Sequence, residues 1–387
     1  MSATIYVLTH KPFSFPPDPA YVPLQVGSAL HEHLPYLHDD TGDNISAKNL
    51  YYSELTGIYW IWKNDAASDI IGTAHYRRYL LNGDHIFTAE EAARELQECD
   101  LISTKQVALP TSYYEAFSAD HHQKDLDVLA DIIRELRPAY SETFNRVVHG
   151  NRTYFGNMFI MPRSRFMDYC DFLFPLLIET EKQVDMTGYT AYQKRLYGFL
   201  SELLLTVYVQ KNALRVKECM VGMSGEKKET KETEDAVAAC FARGDKEGAR
   251  KCILDALEKR PDLLMEASDI YGHLKTAMQV IATCDAEENA GMPTMLDRDR
   301  NFHTLIARVQ QLNAFVRAKA ASDHDSANTG KQPAHGGQAS CENYGVFAPG
   351  DSYYSDEEFK AFRKAEHISE PAVRIAEIVF GKSRQEG

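Results

Sequence analysis

The first 222 residues alternate between strand-like and helix-like segments, and this alternation restricts the folds open to the chain. Residues 4–10 (TIYVLTH) and 69–74 (DIIGTA) are short apolar or β-branched runs of the kind found in strands. Residues 46–64 and 125–137 repeat their apolar side chains with the period of a helix. Strands separated by helices predict an α/β fold whose sheet is mainly parallel.

The pattern changes after residue 224, so we divide the chain there. Residues 1–224 are predicted to form the α/β domain, and residues 225–320 an appended all-α region. Within that region, residues 235–264 are spaced like one tetratricopeptide-type helical hairpin. Residues 321–345 are of low complexity and are predicted to be a disordered linker. Residues 346–387 are predicted to form a tail built around one amphipathic helix.

Composition limits the partners and the compartment. The formal net charge of −14 argues against a nucleic-acid-binding protein, which needs a basic face. The seven cysteines form no C-x-x-C motif or other metal-ligand spacing, which indicates reduced thiols in a cytoplasmic protein. The sequence has no signal peptide and no run of about 18–20 apolar residues, so any membrane contact is expected to be peripheral.

A cluster of polar residues follows one of the predicted strands. The sequence DIIGTAHYRRYLL (69–81) runs from an apolar strand into His75, Tyr76, Arg77 and Arg78. Ligands of parallel sheets bind at the carboxyl ends of strands, and the planar fork of arginine suits phosphate, so this segment is a candidate pyrophosphate site. Strand alternation would place His75 with Arg77 on one face and Tyr76 with Arg78 on the other. The alternative is a basic surface rim paired with acidic residues.

The end of the first strand and a later acidic loop carry further candidate ligands. His10 and Lys11 follow the first strand, where a cation suits a nucleotide or phosphate, although a surface lysine is the commoner explanation. Asp39, Asp40 and Asp43 surround a glycine in the loop DDTGDN and could hold a divalent cation. The same loop could equally be a glycine turn that caps the next helix.

Residues 118–129 (SADHHQKDLDVL) contain possible metal ligands, His121, His122 and Asp125, but the spacing fixes no further partner. Asp125 and Asp127 spell D-x-D, the carboxylate pair with which many nucleotide-sugar enzymes hold a metal. On a helix these two positions point about 200° apart, so they cannot grip one ion. Asp125 is better placed as the N-cap of the helix.

Two later segments carry polar residues in apolar surroundings. Gly156 and Asn157 interrupt the predicted strand 153–162, which often marks the close approach of a ligand or of another backbone. Glu202 lies within FLSELLL, and a carboxylate in such a setting needs a partner or a function. Arg195 shares its helix face, so an internal Arg195–Glu202 tether and a catalytic role both remain open.

These segments, in this order, resemble a family of bacterial capsular and exopolysaccharide biosynthesis glycosyltransferases, long filed as a domain of unknown function. The resemblance covers nearly all of residues 1–222, and its seven motifs are specific in combination. The family usually has a shorter C-terminus, so the region after about residue 225 inherits nothing from it. The motifs are THKPF (9–13), DDTGDNISAKN (39–49), SELTGIYWIWKN (53–64), IGTAHYRRYL (71–80), DLD (125–127), GNMFIMP (156–162) and YGFLSELLL (197–205).

The resemblance implies a GT-A-like fold, a single α/β domain that takes a sugar from a nucleoside diphosphate donor. Such folds carry a metal-binding D-x-D after the strand that here ends in GTAHYRRY, and His75-Tyr76-Arg77 stands in its place. Fixed cations can stabilise a departing diphosphate, so we expect these side chains to take over the task of the metal. The aspartates of the DDTGDN loop remain an alternative source of a Mn²⁺ or Mg²⁺ site.

The resemblance also suggests roles for individual residues. If the reaction inverts configuration, a carboxylate must accept the proton of the acceptor, and Glu202 is the first candidate, with Asp120 or Asp125 second. The residues expected to contact a sugar are His121, Asn157 and Arg195. The residues expected to bind nucleotide and diphosphate are His10, Lys11, Asp39, Asp40, Asp43, His75, Tyr76, Arg77 and Arg78.

The predicted function is therefore hexosyl transfer from a nucleotide sugar, with UDP-hexose as the expected donor, to a growing capsular or exopolysaccharide glycan. Lipid-linked acceptors would bring the C-terminal region to the inner face of the plasma membrane. Two rival hypotheses stay open. A metal-dependent hydrolase could use Asp39, Asp40, His121 and His122 as ligands, and a non-catalytic scaffold could bind a partner through the tetratricopeptide-like hairpin.

Overall fold

The computed structural model describes residues 2–265, 268–328 and 356–381. The chain divides into two compact units, the N-terminal unit (Met1–Ser224) and the C-terminal unit (Gly225–Gly387). Each unit has a hydrophobic core of its own. This is expected of a 387-residue chain, because single cores stop growing at about 250–300 residues.

The N-terminal unit is built on a mixed β-sheet. Its strands are β1 (Ala3–Thr9), β2 (Tyr21–Gln25), β3 (Leu37–His38), β4 (Ile70–His75), β5 (Arg78–Asn82), β6 (His85–Ile86), β7 (Leu101–Thr104), β8 (Val107–Ala108), β9 (Arg152–Thr153), β10 (Phe159–Pro162), β11 (Val216–Cys219) and β12 (Val221–Met223). The order across the sheet is β11-β7-β10-β4-β1-β2-β3, and β5 extends it by pairing with β4, β6 and β12. β8 and β9 form a separate two-stranded ribbon.

Most neighbouring strands along this path run parallel. β1 is parallel to β2 and β4, β2 to β3, and β7 to β11, whereas β10 is antiparallel to β4 and β7. The carboxyl ends of β1, β2, β3 and β4 therefore meet at one edge of the sheet. The predicted α/β fold with a mainly parallel sheet is confirmed.

Both faces of the sheet are covered, as the central strand β1 shows. Tyr6 and Leu8 belong to the core on one face, whereas Ile5 and Val7 belong to the core on the other. Successive strand residues point to opposite faces, so a strand covered on both sides needs apolar residues at every position. This is why residues 4–10 read as a continuous apolar run rather than an alternating one.

Helices flank this sheet. The predicted helix from Ser46 is broken at Ser53, whose φ of 50° is left-handed, so a 3₁₀ turn (Ser46–Lys48) and two helices replace it. The helices of the unit are α1 (Asn49–Tyr52), α2 (Leu55–Asn64), α3 (Ala89–Glu95), α4 (Tyr113–Asp120), α5 (Gln123–Leu136), α6 (Ser141–Val148), α7 (Arg163–Gln183) and α8 (Leu196–Lys211).

Two predicted boundaries in this unit are wrong. The strand expected over 153–162 is two separate strands, β9 and β10, and Gly156 and Asn157 lie in the turn between them. Helix α5 begins at Gln123 with His122 at the N-cap, so Asp125 lies in the first turn and does not cap the helix. In both cases a polar residue, Asn157 or Asp125, lies in a different part of the local structure from the one predicted.

The C-terminal unit is helical, which confirms the predicted all-α region. α9 and α10 pack against each other where the sequence predicts a tetratricopeptide-like hairpin. The segment predicted to be disordered, 321–345, begins inside α13, and residues 329–355 lie outside the described residues. The helices are α9 (Lys228–Ala242), α10 (Lys246–Lys259), α11 (His273–Asn289), α12 (Met295–Arg298), α13 (Phe302–Asn328), α14 (Asp356–Ala365) and α15 (Glu370–Gly381).

The last two of these helices correct the predicted tail, which was expected to contain a single helix. A short loop around His367, whose φ is 51°, separates α14 from α15. None of the described helices is both long and apolar enough to cross a membrane.

Candidate active site

The segment from His75 to Arg78 is a tight hairpin. β4 ends at His75 and β5 starts at Arg78, and these two residues pair across the turn formed by Tyr76 and Arg77. The predicted alternation of His75 with Arg77 is wrong, because the chain reverses between them. The hairpin lies beside the carboxyl end of β1, where Leu8 pairs with His75. It therefore occupies the edge of the sheet at which ligands of such folds gather.

A second turn, at Gly156 and Asn157, contacts this hairpin. Both residues have left-handed backbones, with φ of 93° and 49°, which glycine adopts freely and asparagine tolerates. The Gly156 carbonyl accepts a hydrogen bond from Nε2 of His75 at 2.5 Å, and the Gly156 N–H donates to Oε1 of Glu202 at 2.7 Å. The Asn157 carbonyl accepts from the Thr73 hydroxyl at 2.8 Å. The turn thereby joins β4 to α8.

The amide of Asn157 brings in a residue that the sequence analysis did not single out, Glu54. Nδ2 of Asn157 donates to Oε1 of Glu54 at 2.7 Å, and its Oδ1 accepts from the Ser201 hydroxyl at 3.0 Å. Asn157 is 1% exposed, so both ends of its amide are used inside the protein. This corrects the predicted sugar contact of Asn157. Its amide instead holds the Glu54 carboxyl and the Ser201 hydroxyl in place.

Glu54 and Glu202 are two carboxyl groups that are deeply placed but remain partly accessible. Burial, and then the negative charge of Glu54, raise the pKa of Glu202 to about 8. Burial alone would also raise the pKa of Glu54, but His75, Arg195 and the Asn157 amide outweigh it and lower that pKa. Near neutral pH the pair therefore shares one negative charge, which resides on Glu54.

The basic groups around this pair differ in charge. Burial and the neighbouring Arg78 lower the pKa of His75 to about 4, so at pH 7 it is a neutral ring that donates from Nε2. The lowered pKa disfavours the predicted cationic role of His75. Burial also lowers the pKa of Arg78, opposed by Glu54 and Glu202, but a guanidinium stays charged in proteins. The positive charge of the site comes from arginine.

Arg195 lies at the start of α8, on the other side of Glu54. Its Nε donates to the Ser53 hydroxyl at 3.2 Å, and its guanidinium carbon lies 5.5 Å from the centre of the Phe199 ring. The described side chains of Arg195 and Glu202 form no ion pair, because Glu202 is held by the Gly156 N–H. The proposed internal tether is thus replaced by two separate contacts, Arg195 with Ser53 and Glu202 with the Gly156 N–H.

An aromatic wall adjoins Arg195. The ring of His121 lies between Phe117, Tyr192 and Phe199, with centroid distances of 4.7, 5.4 and 4.4 Å. Burial, and then the neighbouring basic side chains, lower the pKa of His121 to about 4. Its Nδ1 is buried and has no hydrogen-bond partner among the described residues. A buried acceptor without a donor is costly unless a ligand completes it.

The carboxyl end of β1 is fixed by a local turn. The Thr9 hydroxyl accepts from the Lys11 N–H at 3.0 Å and donates to the Lys11 carbonyl at 2.6 Å. This places His10 edge-on against Tyr76 of the hairpin, with ring centroids 5.4 Å apart. The predicted nucleotide side of the site, residues 10 and 11, therefore does lie next to the hairpin.

His10 and Tyr76 are part of a larger surface, which we call the aromatic patch: His10, Phe13, Tyr36 and Tyr76. Phe13 lies 6.2 Å from Tyr76 and 5.9 Å from Tyr36, measured between ring centroids. The guanidinium of Arg77 lies 4.9 Å from the Tyr76 ring, and its Nε is buried with no partner among the described residues. Rings that flank free guanidinium donors can stack a base and hold its phosphates.

The acidic loop does not present its aspartates together. Asp39 is 0% exposed and accepts from the N–H groups of Gly27 and Ser28, at 2.9 and 3.0 Å, and from the Ser46 hydroxyl. Asp43 accepts from Tyr59 at 3.2 Å. Asp39 is thus fully used inside the protein, which disfavours its predicted nucleotide or metal contact, and neither Asp39 nor Asp43 caps the 3₁₀ turn that follows.

The metal of GT-A-like folds does not fit the residues at its expected place. The hairpin offers a neutral histidine and arginines there, whereas Mn²⁺ and Mg²⁺ prefer oxygen ligands. Within the described ranges, Asp39, Asp40 and Asp43 do not bring three ligand atoms together, so that loop is not an alternative carboxylate site.

The second-choice bases lie elsewhere. Asp125 is 1% exposed and accepts from the Tyr189 hydroxyl at 2.8 and 3.1 Å, and burial raises its pKa. Asp120 ends α4, and its carbonyl accepts from Gln193 at 3.2 Å. Asp125 is therefore structural. The hydrolase ligands Asp39, Asp40, His121 and His122 are likewise not assembled into a metal site among the described residues.

The missed residue, Glu54, had a sequence signal. Ser53-Glu54-Leu55 precedes the apolar run TGIYWIW, just as Ser201-Glu202-Leu203 sits within FLSELLL. The argument that a carboxylate in an apolar stretch needs a partner or a function applies equally to both. Applied to both segments, this argument identifies Glu54 as well as Glu202 as a candidate.

A cavity of about 460 Å³ lies elsewhere, between α4, α5 and α6, with Tyr114, Asp127, Arg134 and His149 in its lining. None of the predicted site residues lines it. The oppositely shifted pKa values of Glu54 and Glu202 make that pair the stronger candidate for a functional site.

Comparisons with known proteins find one family and one similar solved structure. The sequence profile of the family described as "Domain of unknown function (DUF4422)" matches residues 4–213, whereas no curated protein sequence matches. Among solved structures, the chain is similar to the apo structure of WbbM, a bifunctional glycosyltransferase, with a TM-score of 0.55 and 27% identity. The match covers 62% of this chain and 52% of that one, so it spans about half of the neighbour's length. Because the profile covers more than half of its residues, this chain belongs to the DUF4422 family.

Proposed function

We propose that the N-terminal unit is a glycosyltransferase, which moves a sugar from a nucleotide-sugar donor to a glycan acceptor. The observation that carries the proposal is the pair of Glu54 and Glu202, whose pKa values are shifted in opposite directions beside permanent cations at the edge of the sheet. Carboxyls separated in this way suit distinct acid–base roles. The likeness to a bifunctional glycosyltransferase supports the same reaction class.

Glu202 is the proposed general base of an inverting transfer. The oxygen of the acceptor hydroxyl bonds to the anomeric carbon, and the bond from that carbon to the diphosphate breaks with its electron pair. The hydroxyl proton passes to Glu202. A base works best when its pKa is near the working pH, and a pKa of about 8 meets this condition. The Gly156 N–H orients one oxygen and leaves the other for the acceptor.

Arg78 and Arg195 are proposed to stabilise the charge that develops on the departing diphosphate. Preorganised cations aimed at developing charge are the usual largest contribution to such catalysis. Glu54 is a positioning residue, because its ionised carboxylate lies among these arginines and balances them before the donor binds. Arg77, whose Nε has no protein partner in the described chain, is proposed to bind a donor phosphate.

The two aromatic surfaces are proposed to bind the rest of the substrates. The aromatic patch would stack the nucleobase, with Lys11 and His10 at its border. The wall around His121 would bind a sugar ring, and Nδ1 of His121 would accept from a sugar hydroxyl. Within this scheme we propose UDP-hexose as the donor and a growing capsular or exopolysaccharide glycan as the acceptor.

Thermal-shift binding of UDP, GDP, CMP and dTDP tests the proposal first. We expect one nucleoside diphosphate to stabilise the wild type and to lose its effect in Arg78→Gln. Arg134→Gln is the matched control, because that arginine is exposed and pairs with Asp131 on α5. Turnover is then measured as nucleoside diphosphate released with an acceptor glycan. Absence of any nucleotide response in the wild type would contradict the assignment.

The same assay, run with Mn²⁺ or with EDTA, tests the role of the arginines. Binding that survives EDTA and disappears in Arg78→Gln is expected if guanidinium groups do the work of a metal. Binding that requires Mn²⁺ would still support a transferase. A metal ion, rather than the arginines, would then bind the diphosphate. Membrane contact through the C-terminal unit is proposed separately. Cell fractionation of a chain truncated at residue 225 tests it, and unchanged membrane association would refute it.

A further inference from the structure

We propose that His33, His38 and Asp40 form a binding site for a transition-metal ion of the zinc class. The site is independent of the proposed sugar transfer, and its failure would leave that proposal untouched. Among the described residues, these three side chains bring one ligand atom each to within 4.8 Å of one another. They lie where β2 and β3 leave the sheet, at the same edge as the candidate active site.

His38 is already oriented as a ligand. Its Nε2 lies 2.7 Å from the Leu34 carbonyl, and a carbonyl can only accept, so Nε2 carries the proton. In the neutral ring, Nδ1 then keeps its lone pair. Histidine ligands of metals almost always donate their other N–H to a carbonyl or carboxylate in this manner, which fixes the tautomer and the ring.

Asp40 has an oxygen without a partner. Its Oδ2 lies 2.9 Å from Nε2 of His33, whereas Oδ1 is buried and accepts no hydrogen bond from the described residues. A buried carboxylate oxygen that lacks a donor is costly, and a bound cation would satisfy it. The side chain is 20% exposed, so an ion can reach it from solvent.

The two imidazoles lie close enough to bind one ion, because their ring centroids are 4.0 Å apart. Ligand atoms of a tetrahedral zinc lie about 3.3 Å apart, given bonds of about 2.0–2.1 Å. The 2.9 Å contact between His33 and Asp40 must therefore open slightly, which rotation of the exposed His33 side chain allows.

The ligand set selects the class of ion. Imidazole nitrogens suit Zn²⁺, Cu²⁺, Fe²⁺ and Ni²⁺, whereas Mg²⁺ and Mn²⁺ favour oxygen. Two histidines and one carboxylate leave a fourth tetrahedral position open for water. The ion would tie the loop between β2 and β3 to the end of β3.

The test is Zn²⁺ binding to the untagged, EDTA-stripped full chain, measured by competition with a chromophoric chelator. We expect one tight Zn²⁺ equivalent, no competition by equimolar Mg²⁺, and at least a tenfold loss of affinity in His33→Gln and in Asp40→Asn. His31→Gln is the matched control, because His31 is exposed on the same loop but outside the group.

His33→Gln is the decisive variant for the metal site. Its side chain is 53% exposed, and its loss leaves the contact of His38 with the Leu34 carbonyl in place. Retained nucleotide-dependent thermal shifts would show that the variant is folded and that donor binding is a separate property. Failure of the wild type to bind one Zn²⁺ tightly would overturn the proposal. Equal losses in His31→Gln and His33→Gln, or full displacement by Mg²⁺, would overturn it as well.

Discussion

Two buried carboxyl groups, one in each unit, have pKa values shifted in opposite directions. In the C-terminal unit, Asp262 accepts from Lys227 at 2.6 Å and from two nitrogens of Arg260, so its pKa is lowered despite burial. In the N-terminal unit, Glu202 receives one backbone N–H and faces the charge of Glu54, so its pKa is raised to about 8. A carboxylate with satisfied partners stabilises a fold, whereas one that is left short of them is available for chemistry.

The strongest way to sharpen this comparison is to remove the unsatisfied carboxylate. Glu202→Gln is expected to lower kcat of sugar transfer by about 10²–10⁴-fold, the usual contribution of a general base. Stability near pH 7 should change little, since Glu202 is largely protonated there and glutamine has nearly the same shape. The measurements are nucleoside diphosphate release and urea unfolding.

Two variants control this experiment. Glu142→Gln removes an exposed carboxylate of the same unit and should leave kcat unchanged. Asp120→Asn tests the second-choice base. In the wild type, kcat should rise with pH up to about 8, because the base acts in its ionised form. A Glu202→Gln rate within tenfold of the wild type would contradict the assignment.

Removing a partner of a fully hydrogen-bonded carboxylate should lower stability and leave activity unchanged. Glu287 is 0% exposed and accepts from Arg298 at 2.5 Å and from the Met295 N–H at 2.6 Å. Arg298→Gln is expected to destabilise the C-terminal unit by about 3 kcal/mol, the low end for a broken buried pair, because Arg298 is 30% exposed. Far-UV circular dichroism during urea unfolding measures it.

The control here is the surface pair of Lys251 and Asp255, at i and i+4 on α10. Lys251→Gln should cost about 0.5 kcal/mol or less, because exposed pairs are screened by water. Neither variant should change transferase activity per folded molecule. A loss of activity in Arg298→Gln at full folding would show that the two units are not separable in this way.

The turn that supports the active site should be sensitive to one added methyl group. Gly156 has φ of 93°, where a side chain is strained, and its Cβ would lie 3.5 Å from a guanidinium nitrogen of Arg78. Gly156→Ala is expected to cost about 1–2 kcal/mol of stability and to reduce kcat, because the His75 and Glu202 contacts shift. Thermal unfolding and turnover measure the two effects.

Gly188→Ala is the matched control, because Gly188 has φ of 82° but open space around its missing Cβ. Its backbone cost should be similar, whereas its activity should be that of the wild type. If both variants lost activity alike, the role assigned to the Gly156 turn would be wrong.

The smallest expected effect is a pH-dependent slope in the stability of the N-terminal unit. The folded pKa of Glu202, about 8, exceeds its ordinary value of 4.5, so unfolding releases a proton and rising pH favours unfolding up to pH 8. His75 and His121, with pKa values lowered to about 4 from 6.5, oppose this only below about pH 6.5. Trp60 and Trp62 report the transition, since both tryptophans lie in this unit.

Between pH 6.5 and 8, therefore, the unfolding temperature from tryptophan fluorescence should fall in the wild type and fall less in Glu202→Gln. Asp262 in the C-terminal unit has a lowered pKa, so its contribution is lost only as pH falls below its ordinary value of 3.8. An identical slope in wild type and Glu202→Gln would refute the raised pKa.

The fold could be read from the sequence because its determinants are periodic. Strand and helix periods in residues 1–222 depend on burial of one face or two, which local sequence records. Helix α5 and the break at Ser53 were misjudged by a few residues, since caps and left-handed turns depend on contacts made by distant side chains. The C-terminal helical region was likewise recognisable, because its helices need only local apolar spacing.

The site was harder to predict, because its members meet across the fold. His75, Arg78, Arg195 and Glu202 were each found from local context, yet their charges could not be assigned. The pKa of His75 is lowered by burial and by Arg78, and this shift is opposed by Glu54 and by the carbonyl of Gly156, 81 residues away. Pairwise electrostatics of this kind has no periodic signature, so the sequence yields candidates and the packed structure assigns their roles.

A single residue orients two side chains of the candidate site. The carbonyl that orients His75 and the N–H that orients Glu202 belong to the same residue, Gly156. Any motion of Gly156 would displace the His75 imidazole and the Glu202 carboxyl together. The positions of these two side chains are therefore coupled through the backbone of one residue.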